Sequence, residues 1–89
     1  MRYFRTARFK RAFRTLEAPR QIRVEHAMRQ LEVLFESGHL PPGLGLKQLR
    51  PGLWEVRAGL SDRVVFSRTG DLAEFLLVGN HDELRRFLK

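Results

Sequence analysis

LWEVRAGLSDRVVFSRTGDLAEFLLVGNHDEL, residues 53–84, is the stretch whose reading decides the fold. Leu53 to Ala58 alternates, with Leu53, Glu55 and Arg57 on one side and Trp54, Val56 and Ala58 on the other, the period of a half-buried strand. Gly59-Leu60-Ser61 suits a hairpin loop, Arg63 to Ser67 a second strand, and Arg68-Thr69-Gly70-Asp71 the turn into a third, Leu72 to Val78. Leu76-Leu77-Val78 is continuously apolar, as expected of a strand that is central or covered on both faces. Asn80 can cap a final helix with Glu83 as its capping-box partner, and Leu84, Phe87 and Leu88 supply that helix with an apolar face.

Upstream of this meander the period changes. Leu46 to Leu49 reads as a short strand leading into a Pro51-Gly52 turn, and Pro41-Pro42-Gly43 with Gly45 marks an irregular connection. Val24, Ala27, Met28, Leu31, Leu34 and Phe35 recur at helical spacing, so the stretch from Pro19 to about Phe35 is an amphipathic helix stopped by Ser37-Gly38. Phe9, Phe13 and Leu16 mark a shorter helix before it, and Arg2 to Arg5 an opening strand. Arg2, Arg5, Arg8, Arg11 and Arg14 recur every third residue, a spacing that on a helix spreads into a broad positive coat. The expected architecture is α+β: an N-terminal strand and a helical hairpin packed on a small antiparallel sheet, closed by a short C-terminal helix, all in one domain over 1–89.

The chain has 89 residues, 43% of them apolar, enough for one core and too few for a multi-domain enzyme or a dinucleotide fold. It lacks cysteine, so disulfide frameworks and thiolate zinc sites are excluded. No apolar run approaches the ~18 residues of a membrane span, and the first residues do not form a signal peptide. The expectation is a small cytoplasmic protein with no membrane contact. Lys and Arg number 17 against 10 Asp and Glu, a net charge of +7, and 14 of the 17 cations are Arg. The guanidinium fork matches phosphate geometry, so an anionic partner is expected, either nucleic acid or an acidic protein segment.

Nucleotide-binding glycine loops, a zinc-protease helix and a nucleophile elbow are all missing. His26, His39 and His81 show no metal-ligand spacing; no metal or other cofactor is expected, and His26 and His39 are assigned no role. Arg57 and Arg63 flank the Gly59-Leu60-Ser61 loop and can reach one surface of adjacent strands, while His81 stands where the last strand hands over to the last helix. Two guanidiniums and an imidazole suit phosphodiester cleavage: the arginines stabilise the charge of a pentacoordinate transition state and the histidine moves a proton. Glu55 can serve as a general base. Each has a plainer alternative. His81 can simply begin the helix, Arg63 can pair with Glu55 or Asp62, Glu55 can bridge to Arg57 or Arg63, and Arg57 can sit on a solvated face. Trp54 can stack on a base but fits a core position on its alternating strand.

Leu53-Trp54-Glu55-Val56-Arg57, Asp62-Arg63-Val64-Val65-Phe66 and Val78-Gly79-Asn80-His81-Asp82-Glu83-Leu84, with the helical front half, resemble the RelE/ParE toxin superfamily in their order and spacing. The resemblance covers essentially the whole chain and is nearest to the RelE- and YafQ-like members. It implies the toxin of a type II toxin–antitoxin pair, a ribosome-dependent mRNA endoribonuclease that cleaves by 2′-OH attack without a metal. Partners implied are a cognate acidic antitoxin, mRNA and rRNA at the ribosomal A site, and operator DNA only through the antitoxin complex. Arg63 matches the family's transition-state arginine, Arg57 a basic strand position beside it, and His81 the acid–base histidine of YafQ-like members. Arg8, Arg11, Arg14 and Lys47 would contact RNA phosphates. The chain departs from the family in carrying Leu53 and Glu55 where RelE has lysines, and Phe87 where many of its nucleases have tyrosine. The resemblance equally admits a ParE-like gyrase inhibitor without nuclease activity, or a catalytically silent antitoxin-binding protein.

Overall fold

Thr6 shows how the chain begins. Its hydroxyl accepts from Phe9 N at 3.1 Å and donates to the Phe75 carbonyl at 2.9 Å, so a single side chain both starts a helix and ties it to a strand 69 positions away. The computed structural model describes residues 1–88. The elements run β1 (Arg2–Arg5), α1 (Ala7–Arg14), α2 (Ala18–Ser37), β2 (Lys47–Arg50), β3 (Leu53–Ala58), β4 (Asp62–Thr69), β5 (Leu72–Asn80) and α3 (His81–Phe87). Proline in the first turn of α2 costs no hydrogen bond, and Gly38 ends the helix in the left-handed conformation at φ 74°, its N–H bonded to the Leu34 carbonyl at 2.8 Å.

The five strands form one sheet in the order β1-β5-β4-β3-β2. After the helical hairpin the meander opens at the far edge with β2 and closes hairpin by hairpin toward β1. β1 pairs with β5 in parallel, Tyr3 opposite Ala73 and Arg5 opposite Phe75, so the sheet is mixed and not antiparallel throughout. The α+β expectation holds with that refinement.

Three layers result. Phe9, Val24, Met28 and Leu31 from α1 and α2 pack on Val56, Val64, Phe66, Phe75 and Val78 of the sheet. On the opposite face α3 lays Leu84 and Phe87 over Val65 and Leu77. A bulge in β5 sets Phe66 opposite Phe75 but Val65 opposite Leu77, so Phe75 faces α1 and α2 while Leu77 faces α3. That two-sided cover explains the unbroken Leu76-Leu77-Val78 run. Asn80 and Glu83 form the expected capping box, each bonded to the other's backbone N–H at 3.0 Å.

The five-arginine series does not lie on one helix. Arg2 and Arg5 belong to β1, where Arg2 pairs with Asp71 at 3.1 Å and Arg5 grips Glu25 of α2 through both terminal nitrogens at 2.8 and 2.9 Å. That grip holds the Glu25 carboxyl below the usual carboxylate range, against the opposing effect of desolvation. Among the described residues no helix is long and apolar enough to cross a membrane.

Candidate active site

Register places the predicted groups together. Arg57 of β3 lies directly opposite Arg63 of β4, Glu55 opposite Val65, and Lys47 of β2 opposite Glu55. With side chains alternating along each strand, Lys47, Glu55, Arg57 and Arg63 share the sheet face that carries α3. Two like charges opposed on neighbouring strands destabilise each other unless a third group intervenes. Glu55 stands beside Arg63 only. Its Oε1 stands 3.7 Å from Arg63 Nε, with the two side chains 14% and 22% exposed. The separation is too long for a hydrogen bond and short enough for charge attraction. Arg57 is exposed and has no acidic partner among the described residues. Its stem crosses the backbone of Gly45, where an added Cβ would come within 2.8 Å of it.

On its other side Arg63 faces Gly79 of β5. A side chain at Gly79 would press on Glu83, whose carboxyl carbon lies 3.1 Å from where that Cβ would stand. The glycine thus lets the first turn of α3 settle against the strand that borders Arg63. His81 opens α3 two residues further on and is exposed. Its ring makes no side-chain hydrogen bond or ion pair among the described residues, so the imidazole is not fastened to either arginine.

The remaining predicted groups separate. Arg8 of α1 lies over the Phe87 ring at 4.6 Å and so links α1 to α3, while Arg11 and Arg14 stay exposed in the last turn of α1, where positive charge suits the helix dipole. Lys47 is exposed beside Glu55. Trp54 packs against the core on the opposite face of the sheet from Arg63. Tyr3 also lies on that opposite face, stacked against Phe35 and Phe75. Its hydroxyl is buried without a hydrogen-bond partner, and burial first, then Glu32 and Glu36, pushes the phenol above its ordinary pKa.

Asp62 does not partner Arg63. It sits one residue earlier on β4, so its side chain points to the other face, where it is fully buried and receives Arg20 of α2 through Nε at 2.9 Å and Nη2 at 2.7 Å. The hydrogen bond to Asp62 raises the Arg20 pKa above its already high value. This pair fixes the start of β4, and with it the backbone beneath Arg63, to the main helix. Sequence reading missed it because the partners stand 42 positions apart; an acid one residue before a strand arginine was the only signal. Gly79 carried a clearer one, since a glycine ending an apolar strand marks a close approach. No group of three or more His, Cys, Asp or Glu among the described residues is placed to hold a metal ion.

Neither a scan against protein-family models nor a search of curated proteins gives a match. Solved structures do match. YafQ from E. coli is 16% identical, with 94% of this chain and 98% of that chain covered at a TM-score of 0.68. A chain of the RelB-RelE antitoxin-toxin complex from Methanococcus jannaschii is 15% identical, with 97% and 99% covered at 0.72. The YoeB/ParE toxin from Agrobacterium tumefaciens is 17% identical, with 91% and 99% covered at 0.66. The chain therefore has the fold of the RelE/ParE toxins over nearly its whole length.

Proposed function

We propose that this chain is the toxin of a type II toxin–antitoxin pair and acts as a ribosome-dependent mRNA endoribonuclease. The observation that carries the reading is the Arg57–Arg63 pair at the ends of β3 and β4, on the sheet face that carries α3, with Glu55 beside Arg63. A scissile phosphate between the two guanidiniums relieves their repulsion, and the same guanidiniums stabilise the extra charge of the pentacoordinate phosphorus. The 2′-oxygen attacks the adjacent phosphorus and the bond to the 5′-oxygen breaks. Glu55 takes the 2′-OH proton once phosphate draws Arg63 away from it, and protonated His81 gives a proton to the departing 5′-oxygen. The products are a 2′,3′-cyclic phosphate and a free 5′-OH. The freedom of the His81 ring fits a group that must reach a leaving oxygen supplied by the substrate.

An acidic antitoxin is the proposed protein partner, supported by the net charge of +7 and by the antitoxin-toxin complexes among the structural neighbours. Operator DNA would be met only through that complex. Primer extension on cellular mRNA after induction tests the reading. Cuts inside translated codons, absent with Arg63→Ala/His81→Ala, are the expected result. Growth arrest with intact mRNA would replace it by gyrase inhibition, and a folded protein giving neither would be an antitoxin-binding protein without catalysis.

A further inference from the structure

A second cationic surface lies around the sheet edge from Arg63. Between α2 and the β3–β4 hairpin runs a cleft of about 460 Å³ lined by Arg23, His26, Gln30, Gly43, Arg57 and Gly59, and a hollow at the hairpin tip adjoins it through Arg23 and Gly59. No carboxylate lines either one among the described residues. The neighbouring acids are already engaged, Asp62 with Arg20 and Glu25 with Arg5. Arg23 and Arg57 thus keep uncompensated charge, and each is laid down by a glycine. The Arg23 stem crosses Gly59, where a Cβ would meet it at 2.8 Å, as the Arg57 stem crosses Gly45. Both glycines hold positive φ, 82° and 64°, so the bare backbone there is a requirement of the turn and gives each arginine stem its bed. Leu60 at the hairpin tip and Ile22 on α2 are exposed beside the guanidiniums.

From this we infer that the cleft is a second phosphate subsite, which takes the backbone of single-stranded RNA one or more nucleotides away from the phosphate held by Arg63. Arg57 belongs to both surfaces, so a strand laid across the end of β3 and β4 keeps its phosphates on guanidiniums throughout. The glycines let the Arg23 and Arg57 stems lie flat and carry their guanidiniums to the cleft, and Leu60 and Ile22 offer apolar surface to bases. The ligand class rests on the RNA reading of the Arg63 face; the site itself rests on the cleft.

Fluorescence anisotropy with a labelled single strand of about ten 2′-O-methyl nucleotides, which lacks the attacking hydroxyl, measures binding apart from cleavage. Arg23→Met keeps the stem that packs on Gly59 and removes the charge. It should weaken binding ~5- to 10-fold at low salt and lower the slope of log affinity against log salt by about 0.7, the share of one phosphate contact. Between about 50 and 200 mM salt that slope change amounts to a ~2.6-fold smaller loss of affinity. Arg23→Lys should retain the wild-type slope, and thermal unfolding of each variant shows that the fold is kept. Unchanged affinity and slope in Arg23→Met would overturn the subsite. A glutamate decapeptide that displaces the RNA at equal concentration, and loses its own binding in Arg23→Met, would make the cleft a surface for acidic peptide instead. If Arg23-dependent RNA binding persists while induced cells show intact mRNA, the subsite stands and the nuclease reading falls.

Discussion

Removing Arg20 should cost the fold more than removing its partner Asp62, although the two make the same hydrogen bonds. Asp62 is fully buried and Arg20 is 32% exposed. Arg20→Ala leaves a carboxylate sealed from water with both guanidinium bonds gone, a loss of about 3–5 kcal/mol. Asp62→Ala leaves a guanidinium that already touches solvent and can rehydrate by a small swing, so the cost is nearer the ~1.5–3 kcal/mol of charged hydrogen bonds without a stranded buried partner. Arg20→Met/Asp62→Leu removes both charges and should recover at least ~1 kcal/mol relative to the sum of the single losses, because nothing charged remains to be desolvated. Urea unfolding at neutral pH, followed by Trp54 fluorescence and by circular dichroism, measures all three. A domain of this size has a total stability of only about 5–15 kcal/mol, so Arg20→Ala can be unfolded without denaturant; Arg20→Lys, which keeps one donor to the carboxylate, then ranks the series. Equal losses from the two single substitutions, or strict additivity in the double variant, would refute the argument that the buried carboxylate is the group at risk.

Glu25 predicts a pH effect of definite sign. Arg5 depresses its folded pKa, so its contribution is present above the unfolded carboxylate value near ~4.3 and is lost as pH falls through the lower folded value. Glu25→Gln should flatten the stability curve below about pH 5 and shift it by less than ~1 kcal/mol at neutral pH, since both side chains of the pair are more than one-third exposed and solvent screens them. Denaturant midpoints measured across the acid range check this; a variant whose acid slope matches the parent refutes it. Gly79→Ala should cost about 1 kcal/mol by forcing the Glu83 carboxylate off the Asn80 N–H, and that penalty should disappear in a Glu83→Ala background. Thermal unfolding of the four proteins reads the coupling, and an undiminished penalty without Glu83 would place the strain elsewhere.

Local patterns were legible because their causes are local. Alternation along 53–58 is set by the pleat, the capping box spans three residues, and a three-residue loop between Ala58 and Asp62 suffices to bring Arg57 opposite Arg63. The facing of Arg57 and Arg63 could therefore be read from the order of residues alone. What escaped the reading depends on pairings distant in the chain. A four-residue strand such as β1 says nothing of whether its neighbour runs with it or against it, and the parallel pairing with β5 is decided by where the meander ends. The three-residue arginine spacing looked helical, yet Arg2 and Arg5 precede the Thr6 cap and answer to Asp71 and Glu25. Asp62 and Arg63 are adjacent acid and base, but successive strand residues point apart, and their partners lie on opposite faces.

The same sorting turns a charge total into an argument about place. Arg2, Arg5 and Arg20 are each matched by a carboxylate on a neighbouring element, and Glu83 is committed to the cap of α3. These pairs cancel, so they cannot be the source of the +7 surplus. Arg63 is different, because its carboxylate is at 3.7 Å, attracted but not hydrogen-bonded, and the arginine opposite it has no carboxylate partner among the described residues. A scaffold seeking only stability has no reason to oppose two guanidiniums across a strand pair or to leave Arg23 and Arg57 lying on glycines without counter-charge. A phosphate bound there would recover those costs. On the proposed reading, the uncompensated arginines of the β3–β4 end are where an anionic strand would bind, and the loosely held Glu55 is the group that would take a proton from it.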